Sequence, residues 1–179
     1  GNMQAIGFSL YMDMLERATN AIKNGKSPNL DAPLSLTSDI NLNLPALIPD
    51  AYLSDVHQRL LFYKRISHVS TDDALNEIRV GMIDRFGLLP VQAQNLFHVH
   101  RLRLTAEQLG IEKMDFNAKG GIIEFATDTP VEAMKIIKII QAKPSFYRME
   151  GGRRLRVTVN LTDEKERLAF AQDLLQQMS

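Results

Sequence analysis

The central part of the sequence, residues 77–90, predicts a corner between two amphipathic helices. Apolar residues around it recur every three or four positions and therefore share one helical face: Leu75, Ile78, Met82 and Phe86. Gly87 comes where a helix needs a left-handed closing residue, and Pro90 can begin the next helix without losing a needed N–H. Asp84 and Arg85 cannot point into the same core as Phe86, so we expect them to face solvent or a partner.

Two kinds of hydrophobic periodicity divide the rest of the chain into helices and strands. Spacings of three and four predict helices over residues 8–24, 53–67, from about 70 to the corner, 90–109, 130–142 and 162–175. Alternation and short apolar runs predict strands over residues 39–44, 111–116, 122–126, 146–149 and 155–160. The prediction is an α+β fold, in which a helical bundle packs with a small mixed, mostly antiparallel sheet.

Several local expectations accompany these elements. Ser70 and Asp73 have the spacing of a capping box, and Thr162 is expected to cap the last helix. The stretch 117–121 contains the glycines that a hairpin turn requires. On the helix over 53–67, the residues expected to point inward are Leu53, Val56, Leu60 and Tyr63.

Composition narrows the classes of function. The formal net charge is zero, whereas a domain that mainly grips nucleic acid is more often basic. The chain has no cysteine, which excludes disulfides, thiolate catalysis and cysteine metal sites and is compatible with a cytosolic protein. No apolar run approaches the ~20 residues that span a bilayer, and no signal peptide is visible, so no membrane partner is expected. The sequence enters a helix almost at once, as expected for a piece of a longer chain.

The sequence Gly25-Lys26-Ser27 matches the last residues of a phosphate-binding loop motif. Such a loop needs a glycine where this chain has Asn20, and it must follow a strand and open a helix. Here a helix is predicted before it and Pro28 comes directly after it. We therefore interpret this stretch as the end of a helix and not as a nucleotide site.

The histidines and paired acids do not form a recognisable catalytic or metal motif. His98 and His100 are two apart on a predicted helix, whereas helical metal ligands are three or four apart; the other histidines are His57 and His68. Asp72 and Asp73 fit the preference of acidic side chains for the first turn of a helix. We therefore expect no catalytic residue, no metal and no cofactor in this chain.

A basic cluster lies in the last third of the chain, at Arg148, Arg153, Arg154 and Arg156. In a strand, Arg154 and Arg156 point to the same side, opposite to Leu155 and Val157. One interpretation is a face that contacts the phosphates of nucleic acid. The favoured one is a charged edge that protects the sheet from unwanted strand pairing.

From residue 6 to its end, the sequence resembles the C-terminal domain of the bacterial transcription-repair coupling factor (Mfd) family. The similarity is carried by short pieces whose order and spacing together are specific: GFSLYM at 7–12, LIPD at 47–50, RL at 59–60, FYKRI at 62–66, IDRFG at 83–87 and GGIIEF at 120–125. The resemblance implies that residues 1–25 form the helix leaving a preceding motor, 26–37 a linker and 38–179 a regulatory domain.

The resemblance also implies what the parent protein does. Members of the family are ATP-driven translocases on double-stranded DNA that displace stalled RNA polymerase and recruit the repair protein UvrA in the bacterial cytoplasm. The ATP and magnesium sites belong to the motor, so the fragment itself is expected to be non-catalytic.

In the family, the C-terminal domain packs against a UvrB-like N-terminal module of the same chain and covers the surface that UvrA uses. The covering residues are an acid, an aspartate and an arginine on one helix. The last two match Asp84 and Arg85, and the first falls at Gly81, where this chain lacks the acid. Intramolecular masking through these residues is therefore the function that the resemblance implies.

Overall fold

A computed structural model describes residues 38–179, which form parts of two compact units. The helical unit comprises Pro45–His100, and the sheet unit comprises Ser38–Leu44 and Arg101–Ser179. The predicted helix over 8–24, the phosphate-loop-like stretch at 25–27 and the linker over 26–37 lie outside the described residues.

The helical unit contains α1 (Val56–His68), α2 (Asp72–Phe86) and the first part of α3 (Val91–Gln108). The helix α1 begins after Asp55, whose carboxylate accepts the backbone N–H of His57 at 2.8 Å. The cap of α2 is Thr71 and not the predicted Ser70, since the Thr71 hydroxyl accepts the N–H of Ala74 at 3.1 Å. The start of α2 is therefore fixed by the side chain one residue after the predicted Ser70 cap.

The buried face of α2 is the predicted one, with Leu75, Ile78 and Met82 in the core and Phe86 half-buried. The predicted inward face is only partly correct: Leu53, before α1, is buried and Tyr63 is half-buried, but Val56 is 59% exposed and Leu60 is 40% exposed. The buried residues of α1 are Phe62 and Ile66. Apolar residues occur all around α1, so their spacing permits more than one orientation, and the side carrying the large Phe62 ring is the one buried.

The sheet unit contains a five-stranded sheet in the order β1-β2-β3-β5-β4. The strands are β1 (Asp39–Asn41), β2 (Ile111–Asn117), β3 (Gly120–Phe125), β4 (Tyr147–Glu150) and β5 (Arg154–Thr158). Only the β1–β2 pair is parallel among them. The predicted α+β class with a mixed, mostly antiparallel sheet is confirmed.

One face of this sheet forms the core of its unit, together with α4 (Ala133–Ala142) and α5 (Glu164–Met178). Ile123 lies opposite both Met114 and Leu155, and all three are fully buried. The ring of Phe170 on α5 lies 6.1 Å from that of Phe116 on β2. The opposite face carries charged residues, as period-two alternation in a half-covered sheet requires.

In the sheet unit, the predicted cap of the last helix is wrong, and the predicted hairpin over 117–121 is confirmed with its glycines displaced from the turn. The cap of α5 is Asp163, whose carboxylate accepts the N–H of Lys165, whereas the Thr162 hydroxyl donates to Asn160 at 2.7 Å. The turn between β2 and β3 consists of the residues 118–119, and the two glycines of the stretch 117–121 already pair in β3. Both glycines allow close approach to neighbouring backbone, and Gly120, directly after the turn, also has φ of 116°, which favours glycine.

Candidate functional site

The predicted corner lies at the carboxyl end of α2, where Asp84 and Arg85 are both exposed. Gly87 ends the helix with φ of 92°, and its N–H donates to the carbonyl of Ile83 at 2.9 Å. The Tyr52 hydroxyl lies 2.7 Å from the carbonyl oxygen of Gly87, to which it donates. These hydrogen bonds fix the backbone that carries the two charged side chains.

Aromatic rings hold two arginines beside this corner. The guanidinium carbon of Arg85 lies 4.8 Å from the centroid of the Phe86 ring and 5.6 Å from that of Phe62. Arg65, on α1, lies 5.3 Å from the Phe62 centroid. The two rings meet edge to face, with centroids 5.9 Å apart. We call Phe62, Arg65, Arg85 and Phe86 the arginine–aromatic cluster; cation–π contacts of this kind stabilise exposed arginines by about 0.5–1 kcal/mol.

The charges of this corner have no ionic partner among residues 38–179. No ion pair within that range includes Asp84, Arg85 or Arg65. Although adjacent in sequence, Asp84 and Arg85 are not paired with each other. Within residues 38–179, neither sign of charge at this corner is neutralised by an ion pair.

Gly81, the position at which the family resemblance implies an acidic residue, is half-buried near the middle of α2. A Cβ atom built there meets no atom within 4 Å outside the local helix backbone. The position therefore has room for a side chain, and its glycine only increases the conformational entropy of the unfolded chain.

Replacing Gly81 with alanine is expected to raise the free energy of unfolding by about 1 kcal/mol, because alanine is the better helix former. Urea unfolding followed by circular dichroism measures the change. Gly87→Ala is the matched control, since a Cβ there also meets nothing but φ is 92°. That variant should be destabilised by about 1–3 kcal/mol, because φ of 92° with ψ of −174° lies in a region that essentially only glycine adopts. Equal effects of the two substitutions would contradict the assignment of helix propensity as the cause.

The basic cluster lies on the charged face of the sheet, where carboxylates pair with its arginines. Glu150 accepts from Arg148 at 2.9 Å and from Arg156 at 3.0 Å, while Arg154 pairs with Glu124. The hydrogen bond from Arg156, followed by that from Arg148, lowers the pKa of Glu150 to about 2. These pairs neutralise much of the positive charge, and β4 is an edge strand. The geometry therefore favours the charged-edge interpretation over a phosphate-binding face.

The remaining arginine of this cluster, Arg153, is exposed and lines a shallow groove of about 330 Å³. The groove also contains Glu112, Glu124, Phe125, Glu150, Gly152 and Arg154. Because carboxylates and guanidinium groups alternate around it, the groove has no strong excess of either charge.

The histidines are spread over different surroundings. His57 and His68 are exposed, His98 is half-buried and His100 is buried. Within the described part of the chain, no group of three or more His, Cys, Asp or Glu is placed to hold a metal ion. Nor is any helix of that part long and apolar enough to cross a bilayer.

Comparison with known proteins identifies the family. A family model described as "TRCF domain" matches residues 42–136, more than half of the chain. The chain belongs to the TRCF family. The TRCF relative from Escherichia coli strain K12, named transcription-repair-coupling factor, is 42% identical over 178 residues, or 99% of this chain. A second TRCF relative, from Haemophilus influenzae, is 43% identical over 175 residues.

The alignments cover 16% and 15% of these two TRCF relatives, so the chain spans about one sixth of their length. A solved structure titled "Crystal structure of C-terminal domain of transcription-repair coupling factor" aligns with a TM-score of 0.64 at 20% identity. The alignment covers 79% of this chain and 94% of that structure. The fold is therefore that of a TRCF C-terminal domain.

Sequence reasoning missed Arg65 and its ring partner Phe62. Their spacing of three places them near one another on α1, but α2 supplies Arg85 and Phe86. The sequence did show basic and aromatic residues close together in both helices. It could not show that the two groups meet, because that contact depends on how the helices pack.

Proposed function

We propose that this chain is a non-catalytic regulatory domain that holds the UvrB-like module of its own parent protein and masks the surface used by UvrA. The observation that carries the proposal is the exposure of two adjacent, oppositely charged side chains, Asp84 and Arg85, at the carboxyl end of α2. Neither of them has an ionic partner in residues 38–179. Two adjacent opposite charges of this kind suit a partner that carries the complementary pair.

A small polar contact suits a domain that must release its partner. Surface ion pairs contribute roughly 0–1 kcal/mol each, so a few of them hold a closed state without making it permanent. An equilibrium between closed and open states can then be shifted by events elsewhere in the parent protein, such as binding of its motor to DNA or to stalled RNA polymerase.

In the same proposal, transcription-coupled DNA repair is the process in which the parent protein acts, in the bacterial cytoplasm. The names of the relatives support this process. ATP, magnesium, double-stranded DNA and RNA polymerase are then bound by other parts of the parent chain, consistent with the small share of its relatives that this chain spans. The alternative of a nucleic-acid contact through Arg148–Arg156 is weakened by the pairing of those arginines with Glu150 and Glu124.

Reversing both charges, Asp84→Lys with Arg85→Glu, is expected to unmask UvrA binding in the full-length parent protein. The reason is that both complementary contacts would become repulsive, and a change of 1.4 kcal/mol already shifts the equilibrium tenfold. Surface plasmon resonance with immobilised UvrA measures the change.

The matched control is Lys165→Glu with Glu166→Lys, two adjacent exposed charges on the sheet unit. This control should leave UvrA binding masked. If the Asp84–Arg85 reversal also leaves it masked, these residues do not form the contact.

A further inference from the structure

The arginine–aromatic cluster contains two guanidinium groups that aromatic rings hold in place and that pair with no carboxylate in residues 38–179. We propose that Arg65 and Arg85 together form a receptor for carboxylate groups on an acidic protein surface. This inference rests on the regulatory function above, because it specifies the partner chemistry at the same helix corner and adds Arg65 to it.

The cluster is preorganised for such a partner. Phe62 is buried, so its ring is a fixed platform for the guanidinium carbons at 5.3 and 5.6 Å. A guanidinium that lies over a ring keeps N–H donors for a carboxylate, which they can bind in pairs. Because the ring contacts already restrict the two side chains, binding costs less conformational entropy than it would for free arginines.

The surroundings favour a protein partner over the phosphates of nucleic acid. The helical unit over Pro45–His100 contains six acidic and five Lys or Arg residues, so its net charge is slightly negative. Leu61, four residues before Arg65, is 54% exposed, and Leu88 beyond the corner is 85% exposed. Arginine beside aromatic and aliphatic side chains is the composition of a protein–protein interface core.

Asp84 sets a second requirement on the partner. Its exposed carboxylate lies beside Arg85 in the sequence and repels an acidic surface that is uniformly negative. A fitting partner therefore has carboxylates opposite the two arginines and a cation opposite Asp84. This mixed pattern fixes the orientation in which the partner binds.

Binding of this chain to a separately prepared UvrB-like module tests the role of Arg65. Arg65→Gln is expected to weaken binding about tenfold, the typical effect of losing a hydrogen bond to a charged group. Arg65→Lys should weaken it by a similar factor, because lysine keeps the charge but loses the planar guanidinium that donates to a carboxylate in pairs. The control Lys64→Gln, at the adjacent exposed position, should stay within about twofold of the original chain.

Titration with poly-L-glutamate separates this inference from the regulatory function. The NMR signals of the side-chain Nε–H groups of Arg65 and Arg85 are expected to shift, and the shift should decrease with salt. If they shift while the UvrB-like module does not bind, the carboxylate receptor stands and the regulatory function is wrong. Shifts caused by a short DNA duplex but not by polyglutamate would overturn the inference in favour of phosphate. If the Arg65→Gln variant binds both the UvrB-like module and polyglutamate as well as the original chain does, the inference is wrong.

Discussion

Replacing Gly121 with alanine is expected to lower the free energy of unfolding of this chain by about 3 kcal/mol, the upper part of the usual range for overpacking. A Cβ atom built at Gly121 lies against the carbonyl oxygen of Asp115, and the Phe116 ring is also closer than a real contact allows. The crowding atom belongs to the backbone of β2, so the strand pair itself has to move apart. A decrease in the thermal midpoint of about 10 °C would correspond to this loss.

Gly152→Ala is the control that isolates crowding. Gly152 lies in the turn between β4 and β5, and a Cβ atom there meets nothing within 4 Å. Its φ does not fall in the left-handed region, so we expect the midpoint to stay the same or rise slightly as the unfolded chain loses entropy. If the Gly121 variant is as stable as the Gly152 variant, β2 and β3 do not approach closely enough at Gly121 to exclude a side chain.

These glycines illustrate what the sequence could and could not predict about the fold. A pair of glycines between two strand-like segments correctly indicated a hairpin, because turns and tight strand pairs both exclude side chains. Sequence could not separate these two reasons. Only the register, with Gly121 opposite Phe116, shows that the glycines make close strand approach possible while Ala118 and Lys119 form the turn.

The ends of the helices and strands were also harder to predict than their positions. The first strand was predicted over 39–44, but β1 ends at Asn41. Asn43 has φ of 53°, and its side-chain amide donates to the carbonyl of Phe116 at 2.7 Å. This hydrogen bond joins residues that are 73 positions apart, and sequence could not predict it. The Asn41 side chain also accepts the N–H of Asn43 at 3.0 Å, so the asparagines were a local turn signal that the apolar alternation obscured.

For the candidate site, the sequence predicted which residues are exposed but not which ones meet. Asp84 and Arg85 flank an apolar face on a helix, and periodicity alone places them outside the core. The resemblance to the family then singles them out as an interface, which stays a prediction. Arg65 joins Arg85 only because both pack on the Phe62 ring, and this contact depends on how α1 and α2 are placed together.

Arg167 on α5 is the strongest example of a residue whose importance only the structure reveals. It is 5% exposed, although arginines in the first turns of a helix are usually solvated. Its guanidinium donates to the carbonyls of Leu42 at 3.0 Å, Asn43 at 2.9 Å and Leu161 at 3.0 Å. The buried charge is thus satisfied by backbone oxygens, and it fixes the segment that follows β1 to the rest of the sheet unit.

Replacing Arg167 with methionine is therefore expected to lower the free energy of unfolding by about 3–5 kcal/mol, as found when one partner of a buried charged network is removed. Methionine fills much of the volume but leaves carbonyl oxygens without donors, each costing about 1–3 kcal/mol. Lysine should restore little, because its ammonium cannot reach three carbonyls in the planar arrangement of a guanidinium. Urea unfolding measures the change, and hydrogen exchange should show the amides of β1 losing protection first.

The control is Arg148→Met, at an exposed ion pair, which should change the free energy of unfolding by less than about 1 kcal/mol. If Arg167→Met is no more destabilising than that control, the backbone oxygens are satisfied by other donors and Arg167 does not hold β1 in the sheet.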